Sequence, residues 1–331
     1  MAKDLVVVTG AGGFIGGHLV AEMRRSGQRV RAVDIKPLAE WYQAFPDVEN
    51  LVLDLRQIEA CRRTCEGATD VYQLAADMGG MGFIETHKAE CMLSVLINTH
   101  MLMAAKEHGV KRFFYASSAC AYNIGLQSSA EVVPLKESDA YPAMPEDGYG
   151  WEKLFSERMC RHFSEDFGLY TRVARFHNVY GPNGTWDGGR EKAPAAICRK
   201  VIEAVDTGKH EIEIWGTGKQ LRSFMYIDDC VLGIHKIMDS DIDEPINLGT
   251  SELVTIEELV NIVEDIAGLK LARRHDLSAP QGVHGRNSDN TLIQQRLGWE
   301  PRFPLREGMR RTYGWILEQY RARSSGRAFL A

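Results

Sequence analysis

The feature that most constrains the fold is a strand, a glycine turn and a helix at the start of the chain. Leu5–Thr9 is a short apolar run rich in β-branched residues, which is typical of a buried parallel strand. Gly10, Gly13 and Gly16 follow it, and a helical pattern then runs to about Arg25. In this context the glycines let the backbone turn tightly and approach a pyrophosphate at the helix N-terminus. A plain tight turn is the alternative interpretation.

The first half of the chain alternates predicted strands with predicted helices. Further strands are expected at Arg29–Val33, Asn50–Leu53, Val71–Leu74, Arg112–Tyr115 and Leu169–Arg175, and helices at Ile58–Cys65 and about Ala89–His108. The alternation predicts right-handed βαβ units and a parallel sheet, and so an α/β fold with a Rossmann-like, doubly wound sheet. Residues 1–175 are expected to form mainly the dinucleotide-binding domain. Residues 176–331 are expected to form mainly a smaller mixed α/β lobe, with some later segments returning to the first domain.

Acidic and apolar residues at the predicted strand ends indicate which cofactor binds. Asp34 ends the second strand, where a carboxylate hydrogen-bonds a ribose diol and repels a 2′-phosphate, so NAD is favoured over NADP. Lys36 lies close enough to weaken that preference. Asp54 and Leu55 are expected to meet the adenine, and Ala75 to lie beneath the cofactor. Ligands bind at the carboxyl ends of parallel strands, where all these residues fall.

A tyrosine and a lysine four residues apart, Tyr149 and Lys153, lie on one face of a predicted helix. The ammonium is expected to lower the phenol pKa from about 10, so that Tyr149 could act as a base near neutral pH. A serine near the end of the fifth strand could hand on the proton. Such a device removes a proton from a carbinol while a hydride leaves for a cofactor. The Tyr–Lys pair alone is weak evidence for this chemistry, because an exposed helix face with no catalytic role can carry the same spacing.

Composition argues against several classes of function. The net charge is -6 with no basic block, which argues against nucleic acid as a partner. No apolar run approaches the roughly 20 residues that cross a bilayer, and no signal-peptide pattern opens the chain. The seven cysteines are scattered, which favours reduced thiols and a cytoplasmic protein. Cys61 and Cys65 have no neighbouring His or Cys pair, so no metal site is expected.

Two glycine-rich segments are candidate parts of a substrate site. Asp77–Phe83 directly follows a strand end and is either a flexible connector or a backbone surface against the substrate. Asn183–Lys192 is polar and glycine-rich, and it is interpreted as a functional loop rather than a linker. The elements expected after this loop are a helix at Ala193–Thr207, a strand at Glu211–Trp215, a helix at about Thr255–Ala267 and a last helix from about Leu305 to Arg323.

Five segments together resemble the extended short-chain dehydrogenase/reductases, and among them the nucleotide-sugar epimerases of the NAD-dependent epimerase/dehydratase family. They are Ala75–Ile84, Phe113–Cys120, Arg175–Pro182, Gly188–Ala196 and Gly285–Asn290. The resemblance covers nearly the whole chain. It implies an isomerase with bound NAD that converts GDP-D-mannose to GDP-L-galactose, and to GDP-L-gulose, with the GDP-sugar held by the second lobe. It also implies a homodimer.

The same resemblance implies roles for individual residues. Tyr149, Lys153 and Ser118 would run the redox chemistry, and Cys120 and Lys192 would be the acid/base pair that inverts the sugar carbons. The NAD site would comprise Gly10, Gly13, Phe14, Ile15, Gly16, Asp34, Asp54, Leu55, Ala75, Tyr149 and Lys153. The nucleotide-sugar site would comprise Gly79, Ser118, Ala119, Cys120, Asn178, Glu191, Lys192, Ala193, Lys200, Gln220, Arg222 and Arg286.

Thiol and amine chemistry suits an inversion pair. A thiol has a reference pKa of about 8.5, and a desolvated lysine falls below its usual value of about 10.4. Each could therefore hold or release a proton near pH 7. The alternatives are a small buried hydrophobe for Cys120 and a solvated or phosphate-binding lysine for Lys192. Arg222 and Arg286 suit diphosphate oxygens, with surface salt bridges as the alternative.

Other activities of the same fold need other residues. A 4,6-dehydratase usually has an Asp-Glu pair just after the redox serine, and a sugar-acid decarboxylase tends to have a glutamate there. Ser118, Ala119 and Cys120 provide neither. A nucleotide-sugar 4-epimerase needs neither Cys120 nor Lys192 and is the principal alternative. A non-catalytic NAD-sensing regulator tends to lose the Tyr149–Lys153 pair, which is intact here.

Overall fold

The computed structural model describes residues 4–127, 132–279 and 282–325. The strands are β1 (Leu5–Thr9), β2 (Arg29–Asp34), β3 (Glu49–Val52), β4 (Ala68–Gln73), β5 (Arg112–Ser118), β6 (Tyr170–Phe176), β7 (Asn178–Tyr180), β8 (Glu211–Trp215), β9 (Leu221–Arg222), β10 (Phe224–Tyr226), β11 (Ile246–Leu248), β12 (Val254–Thr255), β13 (Ala272–Asp276) and β14 (Gly285–Arg286). The α-helices are α1 (Phe14–Arg25), α2 (Ile58–Cys65), α3 (Met81–Thr86), α4 (Lys88–Met92), α5 (Ser94–Glu107), α6 (Asp147–Phe167), α7 (Ala193–Thr207), α8 (Ile227–Met238), α9 (Ile256–Ala267), α10 (Thr291–Leu297) and α11 (Leu305–Ser324).

A seven-stranded parallel sheet forms the centre of the molecule, in the order β11-β6-β5-β4-β1-β2-β3. All five residues of β1 are buried, as its apolar sequence predicts for a central strand. Helices α1 and α8 pack together on one face, and α2, α5 and α6 cover the other. Each face has its own hydrophobic core. The expected α/β fold with a Rossmann-like parallel sheet is confirmed.

Most of the chain after β6 builds three small sheets and a helical layer. The sheets pair β10 with β7, β13 with β8, and β12 and β14 with β9. Helices α7, α9 and α11 pack against one another beside them. Helix α9 begins at a capping box, in which Thr255 and Glu258 satisfy each other's backbone N–H groups. Strand β11 returns to the edge of the large sheet beside β6.

The structure corrects two predictions of local structure. The single helix expected at Ala89–His108 is two helices, α4 and α5, which meet at Leu93. The glycine-rich segment after β4 is only partly a loop, because α3 begins after Gly80 and buries Phe83 and Ile84. Glycines alone predict a loop, whereas these two apolar side chains favour a helical turn that buries both. The other predicted strands and helices are present, with ends displaced by up to three residues.

Candidate active site

The glycine turn between β1 and α1 has the shape that a dinucleotide requires. Gly10 has a φ of 68°, and a Cβ on Gly16 would lie 2.2 Å from the carbonyl oxygen of Gly10. Gly13 is the N-cap of α1, where no side chain caps the helix and no acidic residue occupies the first turn. The positive end of the helix is thus suited to a pyrophosphate, and a side chain at Gly16 would fill the turn.

Asp34 ends β2 next to this turn, as predicted. Its Oδ2 accepts a hydrogen bond of 2.9 Å from the backbone N–H of Gly12, and its Oδ1 accepts one of 3.0 Å from that of Lys36. A carboxylate has about four acceptor positions, so Asp34 keeps capacity for a ribose diol. The backbone of Lys36 contacts Asp34, while its ammonium lies 5.5 Å from the ring centroid of Tyr42.

The remaining residues predicted for the cofactor differ in what they offer. Asp54 is half-exposed, and a hydrogen bond from Arg56 lowers the pKa of its carboxyl group. The side chain of Leu55 is buried in a hydrophobic core, so only its backbone can face a ligand. Phe14 and Ile15 likewise pack against the core from the start of α1. The backbone N–H of Ala75 donates to the Thr9 hydroxyl at 3.2 Å, beside the glycine turn.

Helix α6 and strand β5 bring the redox residues together. Tyr149 and Lys153 are both buried, and the Lys153 Nζ lies 5.4 Å from the centroid of the Tyr149 ring. Lys153 donates to the carbonyl oxygen of Ala116 at 3.1 Å and lies 3.6 Å from a carboxylate oxygen of Glu152. The Ser118 hydroxyl hydrogen-bonds Tyr149. The trio predicted from the sequence therefore forms one cluster.

The sequence predicts that Lys153 lowers the pKa of the Tyr149 phenol, and without bound cofactor this prediction is wrong. Burial raises the pKa of Tyr149 well above its ordinary value, because a phenolate here would lose its water. The nearby Cys120 and Glu152 raise this pKa further, whereas the Ser118 hydrogen bond lowers it. Tyr149 is thus a neutral phenol at pH 7 in the chain alone, and its loss of a proton requires additional positive charge.

Cys120 lies in a short 3-10 helix, Ala119–Ala121, directly after β5. Its backbone N–H donates to the Ser118 hydroxyl at 3.2 Å, and its Sγ accepts a hydrogen bond of 3.5 Å from Arg286 Nη1. Burial raises the pKa of the Cys120 thiol to about 11, so the thiol holds its proton at neutral pH. The structure therefore brings Arg286 to the thiol, and Cys120 is more than a small hydrophobe.

Lys192, the other member of the predicted inversion pair, is the N-cap residue of α7. Burial lowers the pKa of its ammonium group, which favours the neutral amine, as the sequence analysis anticipated for a desolvated lysine. Cys120 and Cys230 both act in the opposite direction and raise this pKa. Lys192 and Cys120 are thus close enough to interact electrostatically.

The two glycine-rich segments contact each other at this site. The backbone N–H of Gly80 donates to the carbonyl oxygen of Arg190 at 3.0 Å, and the Arg190 guanidinium lies 3.7 Å from the Phe83 ring centroid. Phe83 in turn packs with Cys120 and Tyr149. The first segment is therefore not a free connector, because it links the loop that carries Lys192 to the redox cluster.

A second group of predicted residues surrounds Trp215. The Lys200 Nζ lies 5.7 Å from a Trp215 ring centroid and donates to the carbonyl oxygen of Glu213 at 3.0 Å. Gln220 Nε2 donates to the carbonyl oxygen of Trp215 at 3.3 Å. Arg222 is held by the carbonyl oxygen of Val283 at 2.7 Å. Burial, reinforced by Arg286, lowers the pKa of Arg222 to about 10.

The other predicted substrate residues are distributed along the same loops. Asn178 Nδ2 donates to the carbonyl oxygen of Ser223 at 3.2 Å, and Glu191 pairs with Arg199 at 2.9 Å. A Cβ on Gly79 would lie 2.8 Å from the Phe83 Cβ, which explains a glycine there. Ala193 is the first residue of α7, and Ala119 is buried behind Cys120. A role for each of these residues toward a substrate remains a prediction.

Comparison with known proteins assigns the chain to a family. Residues 6–249 match the model of the NAD dependent epimerase/dehydratase family. The chain belongs to this family. It is 47% identical to GDP-mannose 3,5-epimerase of Arabidopsis thaliana over 315 residues, which are 95% of this chain and 82% of that protein. It is also 47% identical to GDP-mannose 3,5-epimerase 1 of Oryza sativa subsp. japonica over 318 residues, 96% of this chain and 82% of that protein.

Solved structures agree with membership of the NAD dependent epimerase/dehydratase family. MoeE5 in complex with UDP-glucose and NAD is 29% identical, with a TM-score of 0.77 over 95% of this chain and 99% of that one. UDP-glucose 4-epimerase of Thermotoga maritima has a TM-score of 0.85 over 96% of this chain and 99% of that one, and at 24% identity it shows the fold alone. The expected family, its enzymatic character and its use of NAD are confirmed.

Metal ligands and membrane spans were also sought in the part of the chain that the structure describes. Within residues 4–127, 132–279 and 282–325, no group of three or more His, Cys, Asp or Glu side chains could hold a metal ion. None of the helices in those ranges combines the length and hydropathy needed to cross a bilayer.

Three side chains at the site were not predicted for this family member. Glu146 and Gln127 both contact Arg286, and Trp215 forms the surface between Lys200 and Gln220. Glu146 precedes a helix, where an acidic residue is ordinary, so no sequence pattern selects it. A tryptophan at the end of the predicted strand Glu211–Trp215 was a signal in the sequence that could have been used.

Proposed function

We propose that this chain is a GDP-mannose 3,5-epimerase, which converts GDP-D-mannose to GDP-L-galactose and GDP-L-gulose. The observation that carries the proposal is the contact between two kinds of chemistry at the carboxyl end of β5. A redox cluster of Tyr149, Lys153 and Ser118 adjoins Cys120, which interacts electrostatically with Lys192. The relatives that are 47% identical along nearly the whole chain bear this activity in their names.

Oxidation at C4 of the hexose makes the inversion possible. A ketone at C4 acidifies the hydrogens on C3 and C5, which are otherwise barely acidic. NAD, when bound, supplies a positive charge and the acceptor of the C4 hydride, which it later returns. Tyr149 takes the C4 hydroxyl proton, and Ser118 orients that hydroxyl through its hydrogen bond to the phenol. The buried Lys153 ammonium, fixed by the carbonyl oxygen of Ala116, adds positive charge near the phenolate that forms.

Burial favours opposite protonation states in the two residues of the inversion pair, the protonated thiol and the deprotonated amine. The Cys120 thiol, with a pKa of about 11, holds a proton that it can donate. Lys192, whose pKa burial lowers, can offer a neutral amine that accepts a proton. In this direction Lys192 removes the proton from carbon and Cys120 delivers one from the opposite side. Re-reduction at C4 then completes the turnover.

We also propose where the nucleotide part of the substrate binds. Trp215 is half-exposed and offers a flat surface for a purine, with the Lys200 ammonium over its ring and Gln220 held at its backbone carbonyl. Arg222, whose pKa is lowered by burial and by Arg286, would be stabilised by an arriving diphosphate. Gly79, Asn178, Glu191 and Ala193 would complete this site through the two glycine-rich loops.

A homodimer is proposed from the exposed apolar side chains on one side of the molecule. Helices α4 to α6 and the residues beside them present such side chains to solvent: Met92, Leu93, Leu96, Met103, Met144, Trp151, Phe155 and Phe167. Exposed apolar side chains on helices that pack against one another, as α4, α5 and α6 do, are typical of a protein interface. The proposed location is the cytoplasm, which suits seven free, buried cysteines.

The test is the incorporation of solvent deuterium into GDP-mannose in heavy water, followed by NMR. The proposed function predicts deuterium at C5 and at C3, because both carbons lose and regain protons. A 4-epimerase would turn the substrate over without deuterium at either carbon. An NAD-sensing regulator would bind NAD and produce no turnover. Either of these two results would overturn the proposal.

A further inference from the structure

Glu146 is a buried carboxylate attached to Cys120 in two ways. It immediately precedes α6, and its backbone N–H donates to the carbonyl oxygen of Cys120 at 2.9 Å. Its side chain is only 8% exposed, raises the pKa of the Cys120 thiol and is linked to that thiol through Arg286. The next residue, Asp147, has a φ of 41°, in the left-handed region that few non-glycine residues adopt. The chain therefore accepts a costly backbone conformation next to Glu146.

Arg286 connects Glu146 to the thiol. Its Nη2 lies 2.7 Å from Glu146 Oε2, its Nη1 donates to Cys120 Sγ at 3.5 Å, and its Nε donates to Gln127 Oε1 at 2.5 Å. All four side chains are buried. Burying two charges carries a desolvation cost that a hydrophobic pair of similar size does not have. A buried ion pair is therefore weakly explained by stability alone. Its position against Cys120 suggests a chemical reason for its presence.

The two charges act on the thiol in opposite directions. A guanidinium alone at this distance would favour the thiolate, whereas the Glu146 carboxylate offsets that charge and favours the protonated thiol. Burial, followed by Glu146, raises the pKa of Cys120, and Arg286 lowers it. The other ionisable groups that interact with these residues are Arg222, Lys192, Tyr149 and His177. After burial, the Glu146 carboxylate is the largest influence on the pKa of the thiol.

We propose that Glu146 is a positioning residue that holds Arg286 beside Cys120 and keeps the Cys120 thiol protonated, so that Cys120 serves as the proton donor in the inversion. The proposal rests on the proposed function for its catalytic part. In the step, the S–H bond breaks, a C–H bond forms on the deprotonated carbon of the 4-ketosugar, and the thiolate remains beside Arg286. The thiolate then regains a proton from solvent, with which the Lys192 ammonium also exchanges.

The first test measures the thiol without any substrate. The ultraviolet absorbance of the thiolate is titrated against pH in the full-length protein, and the titration of Cys120→Ala is subtracted to isolate this thiol. Glu146→Gln keeps an oxygen that can accept the Arg286 hydrogen bond but removes the negative charge, so Arg286 is uncompensated and the midpoint of the Cys120 titration should fall by about one pH unit or more. Asp147→Asn is the matched control, because it removes an exposed carboxylate, paired with Lys88, one residue away. Its midpoint should equal that of the wild type.

An unchanged or higher midpoint in Glu146→Gln would overturn the proposal. If Glu146→Gln does not fold, Arg286→Gln tests the same electrostatics, because removing the guanidinium while Glu146 remains must raise the midpoint. A purely structural role for Glu146 would not move the two midpoints in opposite directions.

The second test uses deuterium incorporation at C5 as a function of pH. If Cys120 is the proton donor, formation of deuterated, C5-inverted product fails at high pH as the thiol ionises, and Glu146→Gln should move this alkaline limb to lower pH by the same shift as the thiol midpoint. A limb that stays in place would refute the catalytic part of the proposal. If the wild type does not exchange GDP-mannose at all, the proposed function is wrong, whereas the thiol titration still decides whether Glu146 controls Cys120.

Discussion

Replacement of Gly16 by alanine tests the cofactor site through a single methyl group. A Cβ at this position would lie 2.2 Å from the Gly10 carbonyl oxygen and 2.9 Å from the Ala11 Cα. Both atoms belong to the backbone of the turn, so no side-chain rotation can relieve the contact. The turn must therefore open at the point where a pyrophosphate would approach α1.

The cost follows from the energetics of overpacking. Inserting a methyl group into a filled space costs about 1–3 kcal/mol. If this strain appears as lost NAD affinity, the dissociation constant should rise by roughly 5- to 150-fold, at about 1.4 kcal/mol per tenfold change. Alanine also has a higher helix propensity than glycine, by about 1 kcal/mol, which stabilises the folded protein. A measurement of thermal stability would therefore underestimate the strain. NAD affinity is therefore the more sensitive measurement.

The assay is calorimetric titration of cofactor-free protein with NAD, and the neighbouring glycine provides the control. A Cβ on Gly17 would come no closer than 3.3 Å, to the terminal amide of the flexible Gln43 side chain. Gly17→Ala should therefore keep wild-type affinity and lose no thermal stability. Wild-type NAD affinity in Gly16→Ala, or an equal loss in both variants, would refute the assignment of the turn to the pyrophosphate.

Two further predictions concern stability. Glu157→Gln breaks a buried, two-bonded ion pair with Arg175 and should lower the free energy of unfolding in urea by about 3–5 kcal/mol, whereas Glu165→Gln, in an exposed pair, should change it little. Equal effects in the two variants would contradict this reasoning. Burial lowers the pKa of His177 from 6.5 to about 4, so the unfolded chain binds one more proton between those values. The contribution of the neutral His177 to the free energy of unfolding is therefore fully present above pH 6.5 and falls by up to about 3 kcal/mol as the pH drops toward 4. His177→Asn should make the free energy of unfolding depend less steeply on pH in this range.

The sequence was sufficient for the parts of the site that depend on local spacing. A buried strand is followed by Gly10, Gly13 and Gly16, and one helix face carries Tyr149 and Lys153. In both cases the residue spacing was enough to predict the local geometry. The parallel sheet follows from the alternation of strands and helices. Spacing in a short segment is set by the backbone, which the sequence specifies directly.

The burial of side chains and the contacts between distant residues could not be predicted from local spacing. The pKa of Tyr149 was predicted to fall, but its side chain is fully surrounded, and desolvation outweighs the ammonium. Glu146 and Arg286 are 140 positions apart and meet only because β14 packs beside the start of α6. The burial of the Leu55 side chain in the core likewise follows from the assembled sheet, while its contact with the adenine stays a prediction. These outcomes depend on the assembled fold, which no short pattern encodes.

The central claim is that the redox cluster supports oxidation of the sugar at C4, while Cys120 and Lys192 determine which carbons are inverted. It is tested most directly in Cys120→Ala mixed with GDP-mannose in heavy water, with reduced cofactor and deuterium at C5 followed in the same sample. The account predicts that reduced cofactor forms, because Tyr149, Lys153 and Ser118 are intact, while no deuterium appears in a C5-inverted product, because the donor on the opposite face is missing. Deuterated, C5-inverted product formed at the wild-type rate would contradict it.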